Sequence, residues 1–198
     1  MSEAALSRQS AITVRTITAV EEMKLGVELQ NQIWGYSPLD TVPEQMFVVA
    51  QESGGHVLVA FDGDKPVGFA LAFAGVHHDG KAHLHSHMVG VIPEYQNRGV
   101  GRILKLAQRD HAIMRGIHLI EWTFDPLQIK NAFFNISRLG AIVRRYIPNC
   151  YGRTSSPLHG GLPTDRLVAE WWVASPRVAA ILKGTTPQIS AGAARISI

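Results

Sequence analysis

One stretch constrains this chain more than any other: residues 89–104, Val-Gly-Val-Ile-Pro-Glu-Tyr-Gln-Asn-Arg-Gly-Val-Gly-Arg-Ile-Leu. It reads as a strand, a turn and a helix start. The strand must stop at Pro93, which has no amide hydrogen to give a ladder, and Gly99 and Gly101 let the backbone turn tightly and approach a ligand. The first amides of a helix have no intrahelical partner. A glycine-rich approach that gathers those N–H groups into one concavity suits a phosphate or pyrophosphate. The plain alternative is an ordinary strand-to-helix turn.

Two familiar phosphate loops fail here. A P-loop closes on Gly-Lys-Ser/Thr, whereas Gly101 is followed by Arg102 and Ile103. A dinucleotide fingerprint wants a third glycine where Leu104 stands, although Glu121 lies about 20 residues on, where a ribose-binding acid would be. The pattern that fits is Gln96-x-x-Gly99-x-Gly101 behind an apolar strand ending Val91-x-Pro93.

The 198 residues fit one domain with a sizeable core, and 46% hydrophobic with 18% charged residues is a globular composition. The expected layout is a flexible start (1–11), a single domain (12–183) and a Gly-, Ala- and Ser-rich tail (184–198). No apolar run is long enough to span a membrane, and the first ten residues lack a secretory pattern. A lone cysteine, Cys150, rules out an internal disulfide and a multi-cysteine metal site, in keeping with a reducing cytoplasm. A net charge of +3, scattered along the chain, argues against nucleic acid and suits a polyanionic small molecule.

Alternation in residues 12–18 predicts a first strand, and residues 21–34 a helix ended by Gly35 and Pro38. A second helix is expected from Pro43 to about residue 52; the loop between borders an acceptor pocket or merely connects. Residues 56–61, 66–76 and 82–92, joined by Asp-Gly turns, read as three antiparallel strands. The helix over 99–115 places Val100, Ile103, Leu104, Ala107 and Met114 on one face, with Arg102, Lys105 and Arg109 off it as mostly solvated residues. A strand (117–123), a helix (127–139), a strand (141–147), a Gly/Ser/Pro-rich loop (149–163) and a last strand (166–174) follow. A strand–helix–strand crossover over 82–123 implies one parallel neighbour pair in an otherwise antiparallel sheet.

The Gln96-x-x-Gly99-x-Gly101 signature, in this element order, resembles the acyl-CoA-binding motif of the GNAT superfamily, the GCN5-related N-acetyltransferases. The resemblance extends from about residue 12 to residue 173. It implies an α/β (α+β) fold with a mixed, mostly antiparallel sheet of about seven strands flanked by helices, splayed between strands 4 and 5. It also implies acetyl-CoA or another acyl-CoA, succinyl-CoA included, as co-substrate. By motif position, the backbone of Val89 and Val91 would contact pantetheine. The amides of Arg98, Gly99, Val100 and Gly101 would bind the pyrophosphate, with Gln96, Asn97 and Arg102 beside it. Asn131 matches an asparagine often found near the pantetheine arm.

Acyl transfer needs a base for the amine, a dipole for the carbonyl oxygen and a proton for the leaving thiolate. Glu121, His85 and His87 are the candidate bases; Glu121 alternatively pairs with a nearby arginine. His83, His85 and His87 share a face by two-residue alternation, which also raises a metal reading. The outer two stand about 13 Å apart at 3.3 Å per residue, so at most an adjacent pair shares an ion, and no metal is expected. Where many GNATs carry a tyrosine acid, this chain has Ile136. Tyr146, Cys150, Tyr151 or no acid at all are the replacements.

The run Leu119-Ile-Glu-Trp-Thr-Phe-Asp-Pro126, with Asn131, Leu139-Gly140-Ala141, Arg145-Tyr146, Pro163-x-Asp165-Arg166 and Glu170-Trp171-Trp172, resembles a GNAT subgroup associated with N-acylamino acid racemases and proposed to N-succinylate amino acids. The expectation is an N-acyltransferase acting on a small-molecule amine or amino acid, cytoplasmic, with no nucleic-acid or membrane partner and a homodimer as an option. The rivals are a non-catalytic acyl-CoA sensor or scaffold and a metal-binding protein built on the histidine strand.

Overall fold

The computed structural model describes residues 11–152 and 163–185. The expected flexible start, most of the loop at 149–163 and most of the tail lie outside them. The chain divides into two compact units, Met1–Ile117 and His118–Ile198, each taken in turn.

The first unit is a four-stranded antiparallel array in the order β1 (Thr13–Thr16), β2 (His56–Asp62), β3 (Lys65–Val76), β4 (Ala82–Val91). Helices α1 (Lys24–Trp34) and α2 (Glu44–Glu52) pack on β3, as does α3 (Val100–Met114). β2 is buried from His56 through Phe61, an apolar run with both faces covered rather than an alternating one. Leu29, Phe47, Phe69, Leu71 and Leu104 are fully buried at its core. Each such side chain contributes roughly 1.5–3 kcal/mol by leaving water.

The register of β3 on β4 shifts once. Leu71 faces Met88 and Ala72 faces Ser86, so His87 is an extra residue in β4. Such a bulge breaks the two-residue alternation that sequence reading relies on.

The buried face of α3 differs from the expected one. Val100 and Leu104 point inward as predicted, but Lys105, Gln108 and Ala112 complete the buried stripe, while Met114 is 78% exposed. Lys105, expected in solvent, is only 4% exposed.

The second unit is a three-stranded antiparallel array ordered β5 (Leu119–Phe124), β7 (Arg166–Trp172), β6 (Ile142–Ile147). Trp171 anchors it, fully buried, its indole N–H donating to the Leu139 carbonyl at 2.8 Å and its ring edge-on to Trp122. The helix expected over 127–139 is α4 (Ile129–Phe133) followed by a π-turn, Phe134–Arg138. A helix absent from the sequence reading, α5 (Pro176–Leu182), follows β7. Its start was encoded: Ser175 caps it by accepting from the Val178 amide, and Pro176 takes the first helical position.

Candidate functional site

The opening motif folds as a strand, a 3-10 turn and a helix. β4 ends at Val91, Pro93–Tyr95 make the turn, and α3 begins at Val100. Four contacts fix this corner. The Gln96 side-chain amide donates to the Val91 carbonyl at 3.0 Å, closing the turn back on the strand. The Tyr95 hydroxyl donates to Asp62 on β2 at 2.7 Å. The Arg98 and Lys65 cations sit over the Tyr95 ring, 5.1 and 5.2 Å from its centroid.

Asn97 and Gly99 both take left-handed backbone conformations, at φ 60° and 82°. Such geometry costs an ordinary L-residue about 1–2 kcal/mol and costs glycine almost nothing, so Gly99 is dictated by the backbone. Among the described residues, no hydrogen bond takes up the amides of Arg98, Gly99, Val100 or Gly101. The next two, at Arg102 and Ile103, return to the Gly99 carbonyl. Four amides without a partner thus lie at the positive end of a 15-residue helix, a candidate cradle of the kind that suits an anionic group. Gln96 enters this cradle as the staple that shapes it.

Along β4, Val89 and Val91 are half-buried and pair with Ala70 and Gly68. Gly90 between them lies under the Trp34 and Ile33 side chains; a Cβ there would meet the indole at 2.8 Å. The strand histidines make two ring contacts with other histidines. His83 stacks on His77, ring centroids 4.0 Å apart, and His85 lies 5.9 Å from His87. His87 packs edge-on against Phe73, and desolvation lowers its pKa below the ordinary imidazole range, although part of the ring stays exposed.

A cavity of about 800 Å3 opens beside the loop joining α1 and α2, lined by Glu28, Asn31, Tyr36, Thr41 and Glu44 among others. Gln30, fully buried, holds that loop by donating to the Val42 carbonyl and accepting from the Val42 amide, at 3.0 and 2.8 Å. Tyr36 stacks on Trp34 at 5.3 Å, and its partial burial raises its pKa.

In the second unit, Glu121 on β5 is 6% exposed and accepts from Arg145 at 2.9 Å. Its cross-strand neighbour is Glu170, which Arg144 clamps. Burial works against the Glu170 charge, but the hydrogen bonds from Arg144 and Trp172 outweigh it and the pKa falls. The Tyr146 hydroxyl donates to Asp165, which raises the phenol pKa. Asn131 is exposed on α4. Ile136 is 39% exposed in the π-turn, and its neighbour Asn135 is buried with a side-chain N–H that meets no acceptor among the described residues. The half-buried Cys150 thiol is free. Among the described residues no helix is long and apolar enough to cross a membrane.

Comparison with known proteins bears on the family and the fold. The acetyltransferase (GNAT) family profile matches residues 25–136, more than half of the chain, and spans the whole cradle. No curated protein matches. Among solved structures, the ribosomal-protein-S18-alanine N-acetyltransferase of Escherichia coli superposes with a TM-score of 0.66 at 17% identity, over 83% of this chain and 96% of that one. The Salmonella typhimurium protein yncA, solved with its cofactor acetyl-CoA, gives 0.64 at 22%, over 84% and 98%. Arabidopsis thaliana Naa50, bound to the bisubstrate analogue CoA-Ac-MVNAL, gives 0.61 at 16%, over 80% and 97%. At these identities the likeness establishes the fold: a mixed, mostly antiparallel α/β architecture of seven strands flanked by helices. With the family profile and the cradle in the same place, the chain belongs to the acetyltransferase (GNAT) family.

Proposed function

We propose that this protein is an acyl-CoA-dependent N-acyltransferase that moves an acetyl or succinyl group from coenzyme A to the amine of a small molecule, with amino acids as the leading acceptor class. The observation that carries the reading is the set of four unengaged amides at Arg98, Gly99, Val100 and Gly101, within the matched family region. They would hold the pyrophosphate, with Asn97, Arg98 and Arg102 supplementing it and Gln96 shaping the turn. The backbone of Val89 and Val91 would pair with the pantetheine arm, and Asn131 would lie near it.

Direct attack of a neutral amine on the thioester forms the amide and releases the thiolate. Glu121, His85 and His87 are the candidate bases. Desolvation lowers the His87 pKa and so favours the neutral imidazole, the form that accepts a proton. Tyr146 is the candidate acid. The cavity bordered by Glu28, Tyr36 and Glu44 supports an acceptor site beside the α1–α2 loop, where carboxylates would favour a cationic amine. The acyl-CoA co-substrate is in keeping with the acetyl-CoA in the yncA structure and the CoA analogue in the Naa50 structure.

A second reading, an acyl-CoA-binding protein without catalysis, draws support from Ile136 at the usual tyrosine position and from the engagement of Glu121 by Arg145. One experiment separates the two. The protein is incubated with acetyl-CoA or succinyl-CoA and a panel of amines, D- and L-amino acids and peptides, and free thiol is followed. Amine-dependent thiol release is the expected result. Saturable CoA binding with no release above hydrolysis selects the second reading, and absence of CoA binding refutes both.

A further inference from the structure

A buried chain of hydrogen bonds joins β4 to β2 through α3. Lys105 Nζ donates to Ser86 Oγ at 2.9 Å, and Ser86 Oγ donates to Gln108 Oε1 at 2.9 Å. Gln108 Nε2 lies 3.0 Å from His56 Nε2, and His56 Nδ1 lies 3.1 Å from His111 Nδ1. Lys105, Ser86, Gln108 and His56 are at most 4% exposed, and only His111 is partly open to solvent.

The donors and acceptors set a direction. Because the Gln108 amide nitrogen can only donate, His56 Nε2 accepts and the His56 proton sits on Nδ1. That proton goes to His111 Nδ1, so His111 is neutral with its proton on Nε2. Every bond then runs one way, from Lys105 to His111, and the chain is complete with at most one positive charge, at its lysine end.

A second proton does not fit this arrangement. Once His111 is an imidazolium, its Nδ1–H faces the Nδ1–H of His56. His56 must then move its proton to Nε2, and the Gln108 amide must turn over to present oxygen to it. Gln108 Nε2 next points at Ser86, which becomes a double acceptor from Gln108 and Lys105. The Ser86 hydroxyl loses its acceptor. The cost of charging His111 on α3 is thus delivered to Ser86 on β4, the residue beside the extra His87 in the β3–β4 register.

We propose that Lys105, Ser86, Gln108, His56 and His111 are a one-proton hydrogen-bonded spine that positions the interrupted stretch of β4, complete when one end is charged and broken at Ser86 when both are. The charged and titratable groups facing it are named readily. His111 faces His56 from β2 and Arg115 from its own helix; His56 also feels Lys105 and Arg115; Lys105 meets Ser86 from β4. Burial and these like charges hold His56 and His111 below the ordinary imidazole range, and burial alone lowers Lys105 to about 7, so a second proton enters only in mild acid. The consequence for coenzyme binding rests on the proposed role of Val89 and Val91 on the same strand.

Nitrogen NMR of the imidazoles in the full-length protein, followed with pH, tests the spine without activity. Just below pH 7, with Lys105 protonated and His111 still neutral, His56 should be the Nδ1–H tautomer and His111 the Nε2–H tautomer, and His56 should switch to Nε2–H, still neutral, as His111 gains its proton. In Lys105→Met, which removes the opposing donor, the His111 pKa should rise by about one unit, the cost of one hydrogen bond. Ser86→Ala, should Lys105→Met not fold, removes the stranded hydroxyl and should act alike. An Nε2–H tautomer of His56 just below pH 7, or no switch as His111 charges, overturns the proposal. Coenzyme A affinity should fall about tenfold more in wild type than in either variant between pH 8 and pH 5.5. Parallel pH profiles refute the positioning role. Loss of coenzyme binding at every pH, with the tautomer switch intact, overturns the proposed function and the link to the coenzyme and leaves the spine standing.

Discussion

Gly101→Ala separates a glycine kept for the fold from one kept for a ligand. Gly101 is the second residue of α3, its φ is not positive, and a Cβ built there meets only Val91 Cγ2, at 4.0 Å. The protein itself has room for the methyl group. Alanine is favoured over glycine in a helix by roughly 0.5–1 kcal/mol, so the variant should be as stable as wild type or more so, with a Tm rise of about 1–4 °C for a chain of this size. The ligand has no such room if its phosphate seats against the backbone. Displacing it from one amide costs about 1.5–3 kcal/mol for a charged hydrogen bond, a ten- to hundredfold rise in Kd for coenzyme A. Differential scanning fluorimetry and isothermal titration calorimetry on the same sample read both effects. Gly99→Ala is the control. Its φ of 82° makes any side chain strained, so it should lose stability by about 1 kcal/mol. Higher or equal Tm with weakened binding supports the cradle; unchanged affinity in Gly101→Ala refutes backbone approach at this position.

Other outcomes follow from the same geometry. Glu121→Gln keeps a hydrogen-bond acceptor for Arg145 but cannot take a proton, and steady-state kinetics should show a kcat loss of about a hundredfold or more if Glu121 is the base. Tyr146→Phe should lower kcat at least tenfold while leaving coenzyme affinity unchanged, an effect of the size general acids give. Lys105→Met should flatten the pH dependence of stability. The buried amine has its pKa lowered to about 7 from 10.5, so the unfolded chain takes up the proton first as pH falls. Wild-type stability should therefore drop by about 1.4 kcal/mol per pH unit between pH 10.5 and 7 from this group, reach a loss of about 5 kcal/mol and stay level below. Urea denaturation at pH 7 and 9 measures the difference from the variant. Gly90→Ala should destabilise by about 1–3 kcal/mol through overpacking against Trp34, read from chemical denaturation.

Much was legible in the sequence alone, and the reason is local. Period, proline and glycine signals fixed β2, β3, β4 and α3 to within a residue or two, because a strand ends where Pro93 withholds an amide and a helix starts where Gly99 can turn left-handed. The proposed cradle was readable for the same reason, since its groups are backbone amides placed by a few consecutive residues. The start of α5 was equally local, and the Ser175–Pro176 signal was available. What escaped was decided by packing. One extra residue, His87, shifts β4 against β3, and no single-strand pattern contains the partner's register. Lys105 and Gln108 look like solvated positions of α3, yet they are buried because Ser86 and His56 arrive from strands 19 and 52 residues away to satisfy them. Arg145 and Glu121, 24 residues apart, likewise pair only once β6 and β5 flank β7. The sequence by itself determined the family and the strand–turn–helix corner proposed to hold a coenzyme. Only tertiary structure decided which polar side chains are buried together, because burial turns each unmatched donor into a cost that no linear pattern records.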